Sequence, residues 1–412
     1  MEAETSRRAD GRRDAESLRS LVSVVIPTYN RAALLDDALG SVRAQVGAGT
    51  LFDVEVIVVD DASSDDTSVV VERHPAVRYI RHATNRGGSA ARNTGIAASH
   101  GSLIAFLDDD DLWLPNKLAL QVPALQAHPE AGGAYSHMRL SAEEGGSLWP
   151  DRTRTESGFM FREMLLDNFM LTPTVLVRRE AFGKAGYFDE QLSSSQDYDM
   201  LLRLTFHFPF LYAAGVVAVY RPRPDGVLVR ASATGRHVEN QRAAVEKALA
   251  LLPDTPTNRR FKQEARARTE LQIAALMTRA ERWDLTRDLL LRGLKIFPDI
   301  VHAARARNVI AWAGGLIALA SESPLREAAN LSDEIRAAIP ARGSGVRNRL
   351  AVRRALAGLW AEIAVRLGES PSSHAAAIRA IALDPAKLAR PAILRALVRR
   401  GPGRGAHDPD AL

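Results

Sequence analysis

Leu103-Ile104-Ala105-Phe106-Leu107-Asp108-Asp109-Asp110-Asp111 is the stretch from which the fold can be read. Five apolar residues give way at once to four carboxylates. A short apolar run with polar bounds reads as a strand covered on both faces, the pattern of a parallel sheet. An acidic run is ordinarily a solvated surface. Here it would stand at the end of a central strand, where four crowded carboxylates repel one another unless a cation lies between them. Hard carboxylate oxygens select Mg2+ or Mn2+, which one or two carboxylates hold together with diphosphate oxygens.

Two earlier stretches repeat the design. Leu21-Val22-Ser23-Val24-Val25-Ile26 runs into Pro27-Thr28-Tyr29-Asn30, and Val54-Glu55-Val56-Ile57-Val58-Val59 runs into Asp60-Asp61. Helices are predicted over residues 32–45, 67–73 and 90–99, with a short third strand over 77–80. Strands alternating with helices imply parallel βαβ units, and ligands of such sheets bind outside the strands' carboxyl ends. Three polar clusters, at residues 27–30, 60–61 and 108–111, fall at those ends. Residues 112–235 are less regular, with helices expected over 118–127, 179–185 and 198–206 and strands over 174–177 and 210–220. From about residue 236 the chain is rich in Ala, Leu and Arg and reads as helical.

Composition bounds the possibilities. A chain of 412 residues suggests two domains. It has no cysteine, which excludes a disulfide framework, a thiolate nucleophile and any thiolate zinc site. The net charge of +5 hides a split: residues 1–239 carry −7 and residues 240–412 carry +12. No apolar run approaches the roughly 20 residues of a membrane span. The first 20 residues lack a signal-peptide core and read as a disordered tail. The expected domains are 21–235 (α/β) and 236–400 (all-α), with a flexible tail over 401–412.

Five blocks carry a family resemblance. They are Val24-Val25-Ile26-Pro27-Thr28-Tyr29-Asn30-Arg31, Glu55 through Asp65, Asn85-Arg86-Gly87-Gly88 through Gly95, Phe106 through Asp111, and Ser195-Gln196-Asp197-Tyr198-Asp199 through Arg203. In this order, over residues 21–221, they resemble the family 2 inverting glycosyltransferases of the GT-A fold. The resemblance implies a Rossmann-like domain with a mostly parallel central sheet. It also implies transfer of a sugar from a nucleotide-diphospho-sugar, a UDP-sugar being favoured, to an acceptor hydroxyl on a glycan, a lipid-linked glycan or another molecule. Cell-surface polysaccharide or glycolipid synthesis is the expected setting.

The same resemblance assigns residues. Pro27, Tyr29 and Asn30 would line the nucleotide pocket, and Asp61 would accept from the base edge. Arg92 and Asn93 would lie near the donor phosphates or sugar. Asp108 and Asp110 would form the Asp-X-Asp metal pair for Mn2+ or Mg2+, with Asp109 on the ribose or sugar. Asp197 would be the general base. Carboxylates at a helix start also serve as caps, which is the competing reading of Asp197 and Asp199. Gln196 departs from the family, where Glu commonly precedes the base, and this bears on acceptor recognition.

Other readings fare worse. A phosphoacceptor receiver needs a lysine at a later strand end, and only Lys117 and Lys184 precede residue 240. A nucleotidyltransferase needs a glycine-rich loop after the first strand. A degenerate transferase fold whose helical half recruits partners is the rival from another class. In that half Trp283, Leu290, Gly293 and Pro298 echo a tetratricopeptide unit, but the second echo at Asp384-Pro385 is out of period. Helix hairpins are therefore expected, with Trp312 and Trp360 in the core. Basic residues recur near helical spacing at Arg347, Arg349, Arg353, Arg354 and Arg366, and again at Arg395, Arg399 and Arg400. They suggest peripheral contact with the inner face of a membrane by a cytoplasmic protein. Nucleic acid is not expected, because no recognition motif is present.

Overall fold

The computed structural model describes residues 19–140, 148–149, 154–221, 223, 235–339, 346–367 and 370–398. Both expected tails fall outside these residues, apart from Arg19 and Ser20, as do the side chains of Arg347, Arg349, Arg395, Arg399 and Arg400. The first elements are β1 (Ser20–Thr28), α1 (Ala32–Arg43), β2 (Phe52–Asp60), α2 (Thr67–Glu72), β3 (Val77–Arg81), α3 (Gly88–Ala98) and β4 (Leu103–Phe106). β1 pairs in parallel with β2 and β4, and β2 pairs in parallel with β3. Val22, Val24 and Ile26 pack with Leu35, Ala38, Leu39 and Val42 of α1 on one face, while Ile57 and Val59 meet Ala91 of α3 on the other. Strands covered on both faces have no solvent-facing row, which is why their sequences are apolar without alternation.

Beyond β4 the sheet becomes mixed. The chain continues through β5 (Leu112–Trp113), α4 (Lys117–Ala127), β6 (Gly133–Leu140), β7 (Leu148–Trp149), α5 (Phe161–Leu166), β8 (Val175–Arg178), α6 (Ala181–Ala185), α7 (Gln196–His207) and β9 (Phe210–Tyr220). The order is β3-β2-β1-β4-β8-β6-β9-β5, with β7 beside β6 off this path. β8 is antiparallel to β4 and β6, β6 is parallel to β9, and β5 is antiparallel to β9. The parallel character is thus confined to four strands and to β6–β9. Lys117 is a core residue: its Nζ is buried and donates to Gln121 Oε1 at 2.6 Å and to the Val175 carbonyl at 3.1 Å.

The helices that follow are α8 (Arg236–Ala250), α9 (Pro256–Arg279), α10 (Trp283–Ile296), α11 (Ala304–Leu319), α12 (Pro324–Ala338), α13 (Val346–Arg366), α14 (Pro371–Leu383) and α15 (Pro391–Val398). The chain divides into two compact units, residues 1–231 with 239–248, and residues 232–238 with 249–412. The boundary expected between 235 and 236 therefore falls inside α8. The physical reason is that Lys247 pairs with Asp189 and Asp199, at 2.7 and 2.8 Å, and so binds this stretch to the first unit.

In the second unit α9 starts with Thr255 accepting from the Asn258 N–H and Pro256 in its first turn, a favoured helix entry. The core includes Leu271, Leu290, Ile310, Leu331, Leu359 and Trp360. Trp312 was expected to be buried there and is only half-buried. Among the described residues no helix is long and apolar enough to cross a membrane.

Candidate active site

The carboxyl ends of β1, β2 and β4 bring the three polar clusters to one edge of the sheet. After β1, Tyr29 is exposed and Pro27 is half-buried. Asn30 takes a left-handed backbone (φ 54), which its short polar side chain tolerates. Its Oδ1 accepts from the Ser64 N–H at 2.7 Å, and its own N–H donates to Ser63 Oγ at 2.9 Å. These bonds tie the β1 end to the β2 end.

Asp61 is buried at the end of β2. Its carboxylate accepts from the Arg86 and Gly87 N–H groups at 2.8 and 2.7 Å, and His82 Nδ1 lies 2.7 Å from Oδ1. A carboxylate offers about four acceptor positions, so one is left for a ligand. Asp60, beside it, is buried and bonded to Tyr79, Arg81 and the Ser63 N–H, which makes it a structural residue.

The aspartate run after β4 is met by arginines from three distant places. Arg31 Nη1 donates to Asp109 Oδ1 at 2.8 Å and to Asp110 Oδ2 at 2.6 Å. Arg92 pairs with Asp108. Arg221 donates from Nε to the Asp110 carbonyl at 2.6 Å and from its backbone N–H to Asp111 Oδ1 at 3.2 Å. Burial raises Asp109 to about 6, against the pull of Arg31. Burial and the charge of Asp108 push Asp110 up, and Asp111 is pushed up further by burial and both neighbours. Arg31 and Arg221 were not assigned these roles from sequence, because nothing local marks which arginine folds onto which acid.

These carboxylates fit a divalent cation. The negative charge of Asp108 raises the proton affinity of Asp110, and charge of that sign favours a cation beside the pair. Among the described residues no group of three His, Cys, Asp or Glu side chains could hold a metal.

Arg92 is the central side chain. It is buried in α3, with its guanidinium 5.6 Å from the Phe188 ring centre. Burial works against its charge, yet Asp108 and Asp197 outweigh that and raise its pKa. Its Nε and Nη1 are buried without a partner. A Cβ on Gly88 would sit 3.1 Å from Arg92 Nη1 and 3.9 Å from Gln196 Nε2, so glycine leaves open the space these two side chains share.

Asp197 lies in the first turn of α7 and is half-buried. Its Oδ1 accepts from the Tyr198 N–H at 2.8 Å and its Oδ2 from Thr172 Oγ1 at 3.2 Å. Asp199 is different: it is buried and held by Arg203 and Lys247, so it serves structure. Asn93 has its amide fully engaged within the domain. Its amide bonds the Phe188 carbonyl, the Phe188 N–H and Glu190 Oε1 at 2.9, 2.9 and 3.0 Å, which pins α3 to the turn before α7 and leaves no amide hydrogen facing the aspartates. Direct bonds thus join Asp108 to Arg92 and Asp109 and Asp110 to Arg31, the charge of Asp197 acts on Arg92, and Tyr29, Asn30 and Asp61 stand at the adjoining strand ends.

Residues 23–186 match Glycosyl transferase family 2. They form a family 2 glycosyltransferase domain. An uncharacterized glycosyltransferase of Haemophilus influenzae is 31% identical over 192 residues, covering 45% of this chain and 62% of its own. One from Rickettsia bellii is 34% identical over 179 residues, covering 43% of this chain and 25% of its own. The chain therefore spans less than two thirds of the length of these relatives. S. aureus TarS 1–349, solved with UDP-GlcNAc, superimposes with a TM-score of 0.52 at 18% identity, over 77% of this chain and 90% of its own. The mannosyltransferase PcManGT of Pyrobaculum calidifontis, solved with GDP-Man and Mn2+, gives 0.50 at 21%, over 78% and 86%. Likeness at these identities shows the GT-A fold. Asp197 lies past the end of the matched family segment.

Proposed function

We propose that the glycosyltransferase domain moves a sugar from a nucleotide-diphospho-sugar, with UDP the favoured nucleotide, to an acceptor hydroxyl with inversion at the anomeric carbon. The observation that supports this most is Arg92, a buried guanidinium paired with Asp108, under the charge of Asp197 as well, with two nitrogens left unpartnered. Buried donors left unpaired are costly, and a donor diphosphate would satisfy them with charge-assisted hydrogen bonds. Asp108 and Asp110 would hold Mn2+ or Mg2+, whose chemistry is to neutralise the leaving diphosphate.

Tyr29, exposed at the β1 end, offers a face to the base, Asp61 has one acceptor position left for it, and Asp109 reaches the ribose or sugar. Asp197 takes the acceptor hydroxyl proton as that oxygen bonds the anomeric carbon, and the bond to the diphosphate breaks on the opposite face. The acceptor is a glycan or lipid-linked glycan, in cell-surface polysaccharide or glycolipid synthesis.

Asp197→Asn should lower transfer from a UDP-sugar by roughly 10²–10⁴-fold, the usual worth of a general base. Calorimetric UDP binding should persist in that variant. Full turnover in the variant would overturn the assignment. Absence of any nucleotide-sugar binding in the parent protein would instead favour an interaction protein on a transferase fold.

A further inference from the structure

The second unit contains a pocket of about 430 Å³ that no catalytic argument uses. Its walls come from α11 (Arg307, Trp312), α13 (Arg354, Glu362), the turn at Pro385–Ala389 (Lys387) and Arg390 just beyond. Asp384 completes the charged set, giving four cations and two carboxylates. The volume is within the range of small-molecule sites.

Each carboxylate has a partner of its own, and among the described residues neither forms an ion pair with a pocket cation. Glu362 accepts from Arg366 Nε at 2.8 Å, and Asp384 caps its own turn by accepting from the Ala386 N–H at 3.3 Å. Arg307 donates to the Val301 and His302 carbonyls at 2.8 and 2.6 Å. Arg354, Lys387 and Arg390 remain. Among the described residues none of these three forms an ion pair with a carboxylate. A lone exposed arginine is ordinarily just solvated. Three cations brought to one concavity, Arg354 from α13 and Lys387 with Arg390 from one turn, against their mutual repulsion, are another matter. Burial and the neighbouring Arg390 and Arg307 lower the pKa of Lys387, against the opposing pull of Asp384. The half-buried indole of Trp312 adds an apolar wall beside the cations. A basic face meant only for solvent would need neither the concavity nor the ring.

We propose that this pocket binds a phosphate monoester, with the phosphate seated among Arg354, Lys387 and Arg390 and the organic part against Trp312. Arginine and lysine together suit a dianionic phosphate, arginine through its paired donors and lysine as a mobile point charge. The monoester can come from a soluble metabolite or from the headgroup of a membrane lipid, and the two sources are separable.

The test uses the full chain with a chelator present, so that no metal bridges phosphate to the aspartate cluster. Glycerol 3-phosphate is titrated calorimetrically, and phosphatidylcholine vesicles with and without phosphatidic acid are sedimented with the protein. Binding should fall by about tenfold or more in Arg354→Gln/Lys387→Gln, the loss expected for one charge-assisted contact or more. The thermal midpoint and UDP-sugar turnover should stay at parental values. Binding of glycerol 3-phosphate that the double variant loses supports a soluble ester. Sedimentation that requires phosphatidic acid and is lost in the double variant supports the headgroup. Equal binding by both proteins, or no binding of either probe by the parent, overturns the proposal.

Discussion

At the carboxyl end of β4, Arg31 and Arg92 pair with three successive aspartates, and the backbone N–H of Arg221 bonds the fourth. In the helical unit the roles are reversed, and Arg354, Lys387 and Arg390 gather where each carboxylate has a partner of its own. Elsewhere in that unit charges pair off across helices, as Arg287 does with Glu327 and Glu334. The contrast separates two uses of charge. Paired surface ions cost and contribute little. Like charges held together against repulsion are costly unless a ligand of opposite sign completes them, and such clusters mark sites.

The sharpest way to break the comparison is at Arg92. Arg92→Met removes two buried donors without partners, and leaves Asp108, which is about one-third exposed, to water. Stability should change by no more than about 1 kcal/mol, since the removed desolvation cost offsets the lost pair. Transfer should fall by roughly 10²–10³-fold, the usual loss for one donor aimed at developing charge. Arg92→Lys should not rescue it, because one ammonium cannot serve Asp108 and a diphosphate together. Thermal melts beside steady-state kinetics decide it. A fall in activity no larger than the fall in folded fraction would make Arg92 a structural residue.

Which parts were legible in the sequence follows from the same physics. β1, β2 and β4 are covered on both faces, so each shows as an apolar run stopped by polar residues, and the stops gave Asp61 and the aspartates. β6 was missed. Its burial comes from neighbours distant in sequence, and Gly132-Gly133 resembles a turn. A Cβ on Gly133 would stand 2.6 Å from the Phe210 ring and 2.8 Å from the Leu176 carbonyl, so that glycine is there for close strand packing. Arg31 was read only as part of a motif, because its partners lie 78 and 79 residues away. Asn93 was placed near the donor by its motif, yet its amide is bonded to a turn 95 to 97 residues on. The composition shift near residue 236 falls at the start of α8, yet residues 239–248 of that helix group with the first unit, where Lys247 pairs with Asp189 and Asp199.

A carboxylate away from the aspartate cluster sharpens the comparison by showing what a satisfied one does. Burial tends to raise the pKa of Glu55. Hydrogen bonds from Ser23 Oγ, the His100 N–H and side chain and the Gly101 N–H outweigh it and bring it to about 2. A depressed folded-state pKa means stability that is present above the unfolded value near 4.5 and lost as pH falls toward 2. Glu55→Gln should therefore cost on the order of 1–2 kcal/mol at neutral pH, less than the full shift implies because solvent screens a partly exposed group. The difference from the parent should vanish between pH 4.5 and 2. Denaturant melts across that range check it, and a constant difference would show that the loss is packing and not charge.

The smallest effect belongs to the paired charges of the helical unit. Arg287 on α10 donates to Glu327 and Glu334 of α12, in a bidentate contact with Glu334 at 3.0 and 2.6 Å. All three side chains are partly exposed, so screening and side-chain ordering take back most of the attraction. Arg287→Met keeps the aliphatic stem and should cost about 0.5–1 kcal/mol, mostly abolished in high salt. Denaturant midpoints at low and high salt measure it. A loss of several kcal/mol that salt does not touch would mean that this pair, like the aspartates of the first unit, is held in a low-dielectric setting, and the distinction between paired surface ions and gathered site charges would fail at this point.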